Sequence, residues 1–329
     1  MRRILLAISL MLAIVSCGGD GGSDALTPPT PPPASTGPSA SEQLAEDLQD
    51  LTLDEFYFES FEALIKRSPE TVTWEALESV FPLDRVELDD LSDEFQRETF
   101  AMYSVVLDML RSYDRTALSA DQQLDYDTYD YFLQDAVDRL PFIYHDFRAT
   151  YMGFSVQRRT QRFFTDIHPM ETRQDAEDYI TRLNAVDEKF GQLISHLNRQ
   201  RDAGIVEPAL TINVALNQVA AIATSSTDNN PYFSSFSEKL LQIPDLDETD
   251  RNDLLERARA ATADSVVPAY RRLQDQLQNL LNNAPPIIGV GQYPLGSEWY
   301  AYALRRHSTT DPVSYTHLRA HETNDLIAY

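Results

Sequence analysis

The chain has 329 residues, 43% of them apolar, and carries 27 basic against 52 acidic side chains for a formal net charge of -25. That length and apolar content allow a sizeable core and exclude global disorder. The acidic balance excludes a nucleic-acid binder, which needs a basic face to displace counterions from phosphates.

At the N-terminus, Arg2 and Arg3 precede a short apolar run from Ile4 to Val15. The run is too short to span ~30 Å of hydrocarbon comfortably and has the length of a signal h-region. Ile14-Val15-Ser16-Cys17 resembles the bacterial lipobox, in which small residues lead to a cysteine that becomes diacylated. Cys17 is the only cysteine, so no intrachain disulfide framework and no Cys-x-x-Cys metal or redox site can form. Residues 1–16 read as a lipoprotein signal peptide and Cys17 as the lipidation site, which predicts a bacterial envelope protein whose partner is the membrane. In a Gram-negative host, Gly18 in place of an inner-membrane retention aspartate favours the outer membrane. Residues 17–41 carry clustered glycines and then Pro28, Pro29, Pro31, Pro32, Pro33 and Pro38, and they read as a tether.

Residues 42–311 show helical periodicity and little strand signal. A helix is predicted from about Ser92 to Tyr113, through Phe95, Met102, Val106, Met109 and Leu110. Ser119-x-x-Gln122 opens another, with Tyr129, Phe132, Leu133, Ala136 and Leu140 on one face. Thr172-x-x-Asp175 resembles a capping box. It is followed by Ala176, Tyr179, Ile180, Leu183, Val186, Phe190, Leu193, Ile194 and Leu197, with Gly204 at the C′ position. A last long helix spans about Thr249 to Asn282, where Pro268 should kink or divide it and Pro285 and Pro286 should end it. The predicted fold class is all-α, built of long packed helices.

Catalytic motifs are scarce. Gly153-Phe-Ser155-Val-Gln157 lacks the last glycine of a nucleophile elbow. His145 and His168 read as structural histidines, and Arg158, Arg159 and Arg162 as a basic cluster paired with nearby acids. No catalytic pair is singled out among the many carboxylates. His317, His321 and Asp325 stand at i, i+4 and i+8, a spacing suited to zinc on a helix. Val313 to Thr323, however, resembles the translation of a transposon-end adapter used in sequencing libraries. Residues 312–329 therefore read as a non-native tail, and no metal ligand is assigned.

Gly296-Ser-Glu298-Trp-Tyr300-Ala-Tyr302-Ala-Leu304-Arg305-Arg306-His307-Ser308-Thr309-Thr310-Asp311 is similar to a stretch of the bacterial family known as domain of unknown function 885. Asp175 to Leu183, Gly204 to Pro208, Val267 to Leu273, and Phe61 to Leu64 with Ser68-Pro69-Glu70 resemble other segments of it. The resemblance implies a helical architecture like that of zinc metallopeptidases, found on secreted lipoproteins. It also implies that the zinc-binding half follows Asp311, so that zinc and a peptide substrate belong to a full-length relative and this chain is an inactive N-terminal part. Arg305 and His307 are the family-level candidates for lining a cleft. The alternative is a complete, non-enzymatic helical binding lipoprotein of the envelope.

Overall fold

The computed structural model describes residues 38–83, 86–244, 246–285 and 289–308. The signal peptide, Cys17, nearly all of the expected tether, Pro286, and the tail with His317, His321 and Asp325 lie outside the described residues. Among the described residues there are helices and turns but no strands, so the fold is all-α.

In chain order the helices are α1 (Ala40–Asp47), α2 (Leu53–Ile65), α3 (Pro69–Trp74), α4 (Asp93–Leu110), α5 (Ala120–Asp138) and α6 (Val156–Arg162). They continue with α7 (Arg173–Asp202), α8 (Ala209–Ala223), α9 (Pro231–Leu240), α10 (Glu248–Ala261), α11 (Val267–Asn282) and α12 (Gly296–Ser308). The first begins inside the expected tether, because Ser39 and Glu42 close a capping box that starts it. The predicted box at Thr172 and Asp175 forms, and the helix start predicted at Ser119 and Gln122 is a capping box too, the side chain of the first accepting from the N–H of the second in each.

With 30 residues, α7 is about 45 Å long and serves as the spine. It ends in a Schellman motif: Ile205 N–H bonds the Gln200 carbonyl at 3.0 Å and Gly204 N–H bonds that of Arg201 at 2.9 Å. Gly204 occupies the left-handed region at φ 77°, which a side chain would strain.

Pro268 does not snap the late helix. The five residues Thr262–Val266 form a π-turn, α11 follows at once, and Pro268 stands in its first turn. The wider turn absorbs the missing N–H and the ring of the proline.

The main core packs Tyr179, Leu183, Val186, Phe190 and Leu193 of α7 against α8 to α11 and Phe163 and Phe164. A second core is formed by α1, α2, α4 and α5 around Leu44, Phe56, Val106, Leu110 and Leu133. Three buried tyrosines pin the main core. Tyr179 donates to the Tyr232 carbonyl at 2.9 Å, and Tyr270 donates to the Gln157 carbonyl at 2.8 Å. The Tyr270 proton being committed, Tyr232 donates to its hydroxyl at 2.8 Å.

The N-terminal helices meet α7 through polar groups. Buried Lys189 is ion-paired with buried Glu70, and Glu70 and Asp89 exchange backbone-to-carboxylate bonds of 3.1 and 3.0 Å. Gln192 accepts from Leu91 N–H at 2.7 Å, and Arg182 reaches the Glu87 carbonyl at 3.2 Å.

Removing one member of a buried ion pair strands the other charge, which costs ~3–5 kcal/mol. Lys189→Met should lower unfolding stability by that amount in urea titrations, because it leaves Glu70 and Asp89 facing each other without their lysine, whereas Glu70→Gln, which keeps Asp89 opposite Lys189, should cost less. A Lys189→Met variant as stable as the parent would show that the pair holds nothing.

Candidate functional site

An open-sided groove of about 580 Å³ lies between the end of α5, the turn at Leu140–Phe142, and α12. Val137, Asp138, Phe142, Glu298, Tyr302 and Arg305 line it. Its position is set by how α12 is launched. Leu295 is held in the left-handed region at φ 56°, and a Cβ on Gly296 would overlap the Val290 carbonyl, so only glycine fits at the first position of the helix.

Two arginines then fasten α12 to α5. Arg305 pairs with Asp138 at 2.6 Å, and Arg306 pairs with Asp135 at 3.1 Å while donating to the Tyr302 hydroxyl at 2.9 Å. Tyr302 passes its own proton to the Asp135 carbonyl at 3.2 Å. The Arg305 pair is partly open to water and contributes little to stability. Its fixed charges nonetheless line the groove.

The wall behind them is aromatic. Phe142 stacks on Tyr302 at a centroid distance of 5.4 Å and packs on Trp299 at 5.5 Å. The His145 ring lies 5.5 Å from Phe142 and 5.6 Å from Trp299. His145 Nε2 is 2.7 Å from the Pro294 carbonyl, which can only accept, so Nε2 carries the proton and Nδ1 keeps a lone pair without a partner among the described residues. Burial lowers the pKa of this histidine and keeps it neutral.

Of the two cleft candidates read from the sequence, Arg305 lines the groove and His307 is exposed at the end of α12. Periodicity did not point to Phe142, His145 or Asp138, because they converge on α12 from a different part of the chain. His168 is held by Arg182 at 2.8 Å and by the Pro169 carbonyl at 2.7 Å, and it stacks on Phe164. In the Arg158 to Arg162 cluster, Arg159 and Arg162 lie over the Trp74 ring, and Arg162 pairs with Asp166 at 3.4 Å.

A zinc site needs three or four His, Cys, Asp or Glu ligands converging on one point. Among the described residues no group of three or more such side chains does so. These residues do not fit zinc.

With this geometry in view, comparison with known proteins is decisive for the family. The profile of a family described as bacterial protein of unknown function, DUF885, matches residues 75–323. The chain belongs to that family. The DUF885 match takes in α4 to α12 and runs past Asp311 into the expected tail. No curated protein matches the chain. The fold is similar to that of a solved protein from Colwellia psychrerythraea described as a candidate lipoprotein, with a TM-score of 0.68 and 19% identity. That match covers 84% of this chain and 47% of the other, so the chain spans about half the length of its structural neighbour.

Away from the groove lining, Glu207 is buried and accepts from the Thr150 hydroxyl. Burial pushes its pKa up to about 7, against the pull of its bonds to Thr150 and Thr211. A raised carboxyl pKa favours the folded state at low pH. The contribution is complete below about pH 4.5 and lost as pH rises through about 7, amounting to ~3 kcal/mol in all. Glu207→Gln should therefore flatten the stability profile between those limits and be relatively more stable than the parent at pH 8. Parallel profiles for the two proteins in urea titrations would refute this.

Proposed function

We propose that this chain is the N-terminal helical part of a lipid-anchored envelope protein, and that the groove between α5 and α12 holds an extended peptide. The observation that carries the reading is the groove itself, with its aromatic wall and the Asp138–Arg305 pair fixed along it. Phe142 and Tyr302 offer apolar surface for a side chain, with Trp299 packed behind them, while Glu298, Asp138 and Arg305 offer polar partners to a backbone. The structural neighbour's description as a lipoprotein supports the envelope setting.

Full-length relatives are proposed to be zinc metallopeptidase-like, as the sequence resemblance implies. In that reading this chain contributes binding and orientation. No described helix is long and apolar enough to cross a membrane, and attachment is assigned to lipid on Cys17. Outer-membrane placement belongs to the same proposal.

Trp299 packs on Phe142 and Tyr302 behind the groove and the chain has one other tryptophan, Trp74, so fluorescence of a Trp74→Phe variant reports on the groove. The blocked peptide acetyl-Ala-Phe-Ala-amide should quench Trp299. Arg305→Ala should weaken binding about fivefold and change stability by less than ~1 kcal/mol. Absence of quenching, or equal affinity in the variant, would remove the peptide reading. Zinc-dependent hydrolysis of the same peptide by this chain would overturn its assignment as a non-catalytic part. For the anchor, Cys17→Ser should move the protein from the membrane to the soluble fraction in the native host.

A further inference from the structure

His196 is 3% exposed, yet neither ring nitrogen has a hydrogen-bond partner among the described residues. A neutral imidazole presents one N–H and one lone pair, and leaving both unmet in the interior is costly. Its neighbours deepen the anomaly. The Tyr144 ring lies 5.4 Å away, and the nearby charges on His196 are Arg148, Asp93, Arg139 and Arg199.

These groups come from three parts of the chain. From α4, Asp93 accepts from Tyr144 at 2.5 Å and from Arg97 at 2.8 Å, with Arg199 of α7 at 3.5 Å. In the segment after α5, Arg139 pairs with Asp146, and Arg148 donates to Gln96. From α7, Gln200 donates to the Tyr144 and Asp146 carbonyls at 2.5 and 3.1 Å, holding that segment over His196. Beyond Arg139 stand Arg306 and Asp135.

Arg97, Arg139, Arg148, Arg199 and Arg306 thus face Asp93, Asp135 and Asp146, an excess of two positive charges. In a chain of net charge -25 this local excess runs against the whole composition. The strain registers on the groups themselves. Burial and then Arg139 push Arg148 down to about 10, and burial followed by Arg148 pushes His196 down to about 3. Arg139 keeps a third of its side chain exposed and so opens the cluster to solvent.

We propose that Arg148, Arg139 and His196 form a binding site for a phosphate group, either free phosphate or a phosphate monoester. A phosphate carries about -1.5 to -2 charge at neutral pH, which matches the excess, and its several acceptor oxygens suit guanidinium forks and an imidazole N–H. A carboxylate would leave one positive charge uncompensated. The site needs neither zinc nor the groove, so it stands or falls apart from the peptide reading.

The test uses the full chain, labelled with nitrogen-15 at histidine, and titrates in inorganic phosphate, glycerol 3-phosphate or acetate. Either phosphate should shift the His196 ring nitrogens and raise the melting temperature, with acetate bound at least about tenfold more weakly. The tighter of the two phosphates identifies the source as free ion or monoester. Arg148→Gln should weaken phosphate binding about tenfold or more. Unmoved His196 resonances, acetate binding as tight as phosphate, or unchanged affinity in a folded Arg148→Gln variant would each overturn the proposal. Should that variant not fold, the resonances of the parent protein decide.

Discussion

Along α7, Arg182, Lys189 and His196 fall seven residues apart and are all buried, forming a polar stripe down one side of a helix whose other side fills the main core. The rest of the arrangement answers to that stripe. Arg182 gathers His168 and the Glu87 carbonyl, Lys189 takes Glu70, and His196 sits under the segment that carries Tyr144. Two apolar cores therefore meet across a polar boundary instead of merging into one. Apolar contact is tolerant of sliding, whereas the buried charges and hydrogen bonds of Arg182 and Lys189 are satisfied in one register. The boundary fixes how α4 and the α3 region stand against α7, and the segment running on to α12 is positioned from there.

Much of the fold was legible because its signals are local. Capping boxes at Ser119 and Thr172, the left-handed glycine after α7 and the three- and four-residue spacing of core positions depend only on neighbours along the chain. Pro268 announced a break but not its form, since whether a helix bends, ends or widens by one residue is settled by what packs around it.

The candidate site was legible only in part. Arg305 could be picked out by its resemblance to a family stretch, but Phe142, His145 and Asp138 meet α12 across more than a hundred and fifty residues of sequence. The seven-residue spacing of Arg182, Lys189 and His196 was present in the chain all along. It is inconspicuous because a charged residue on a long helix is ordinarily solvated. In a helix with one face already committed to a core, a second regular series of bases and amides is a sign that the opposite face is buried too.

The π-turn at Thr262–Val266 carries a further consequence for how α10 and α11 share the work of one long helix. One extra residue in a turn rotates everything downstream by about 100° around the axis relative to an uninterrupted α-helix. Leu254 and Ala258 before it, and Leu273 and Leu277 after it, thus reach the same core by two different angular frames. The turn acts as a phase shifter: each side keeps its own hydrophobic stripe, and neither would align with the other on an unbroken helical wheel. A deletion of one residue there would leave composition and helix content almost unchanged while turning the apolar stripe of α11 away from α7 and α8.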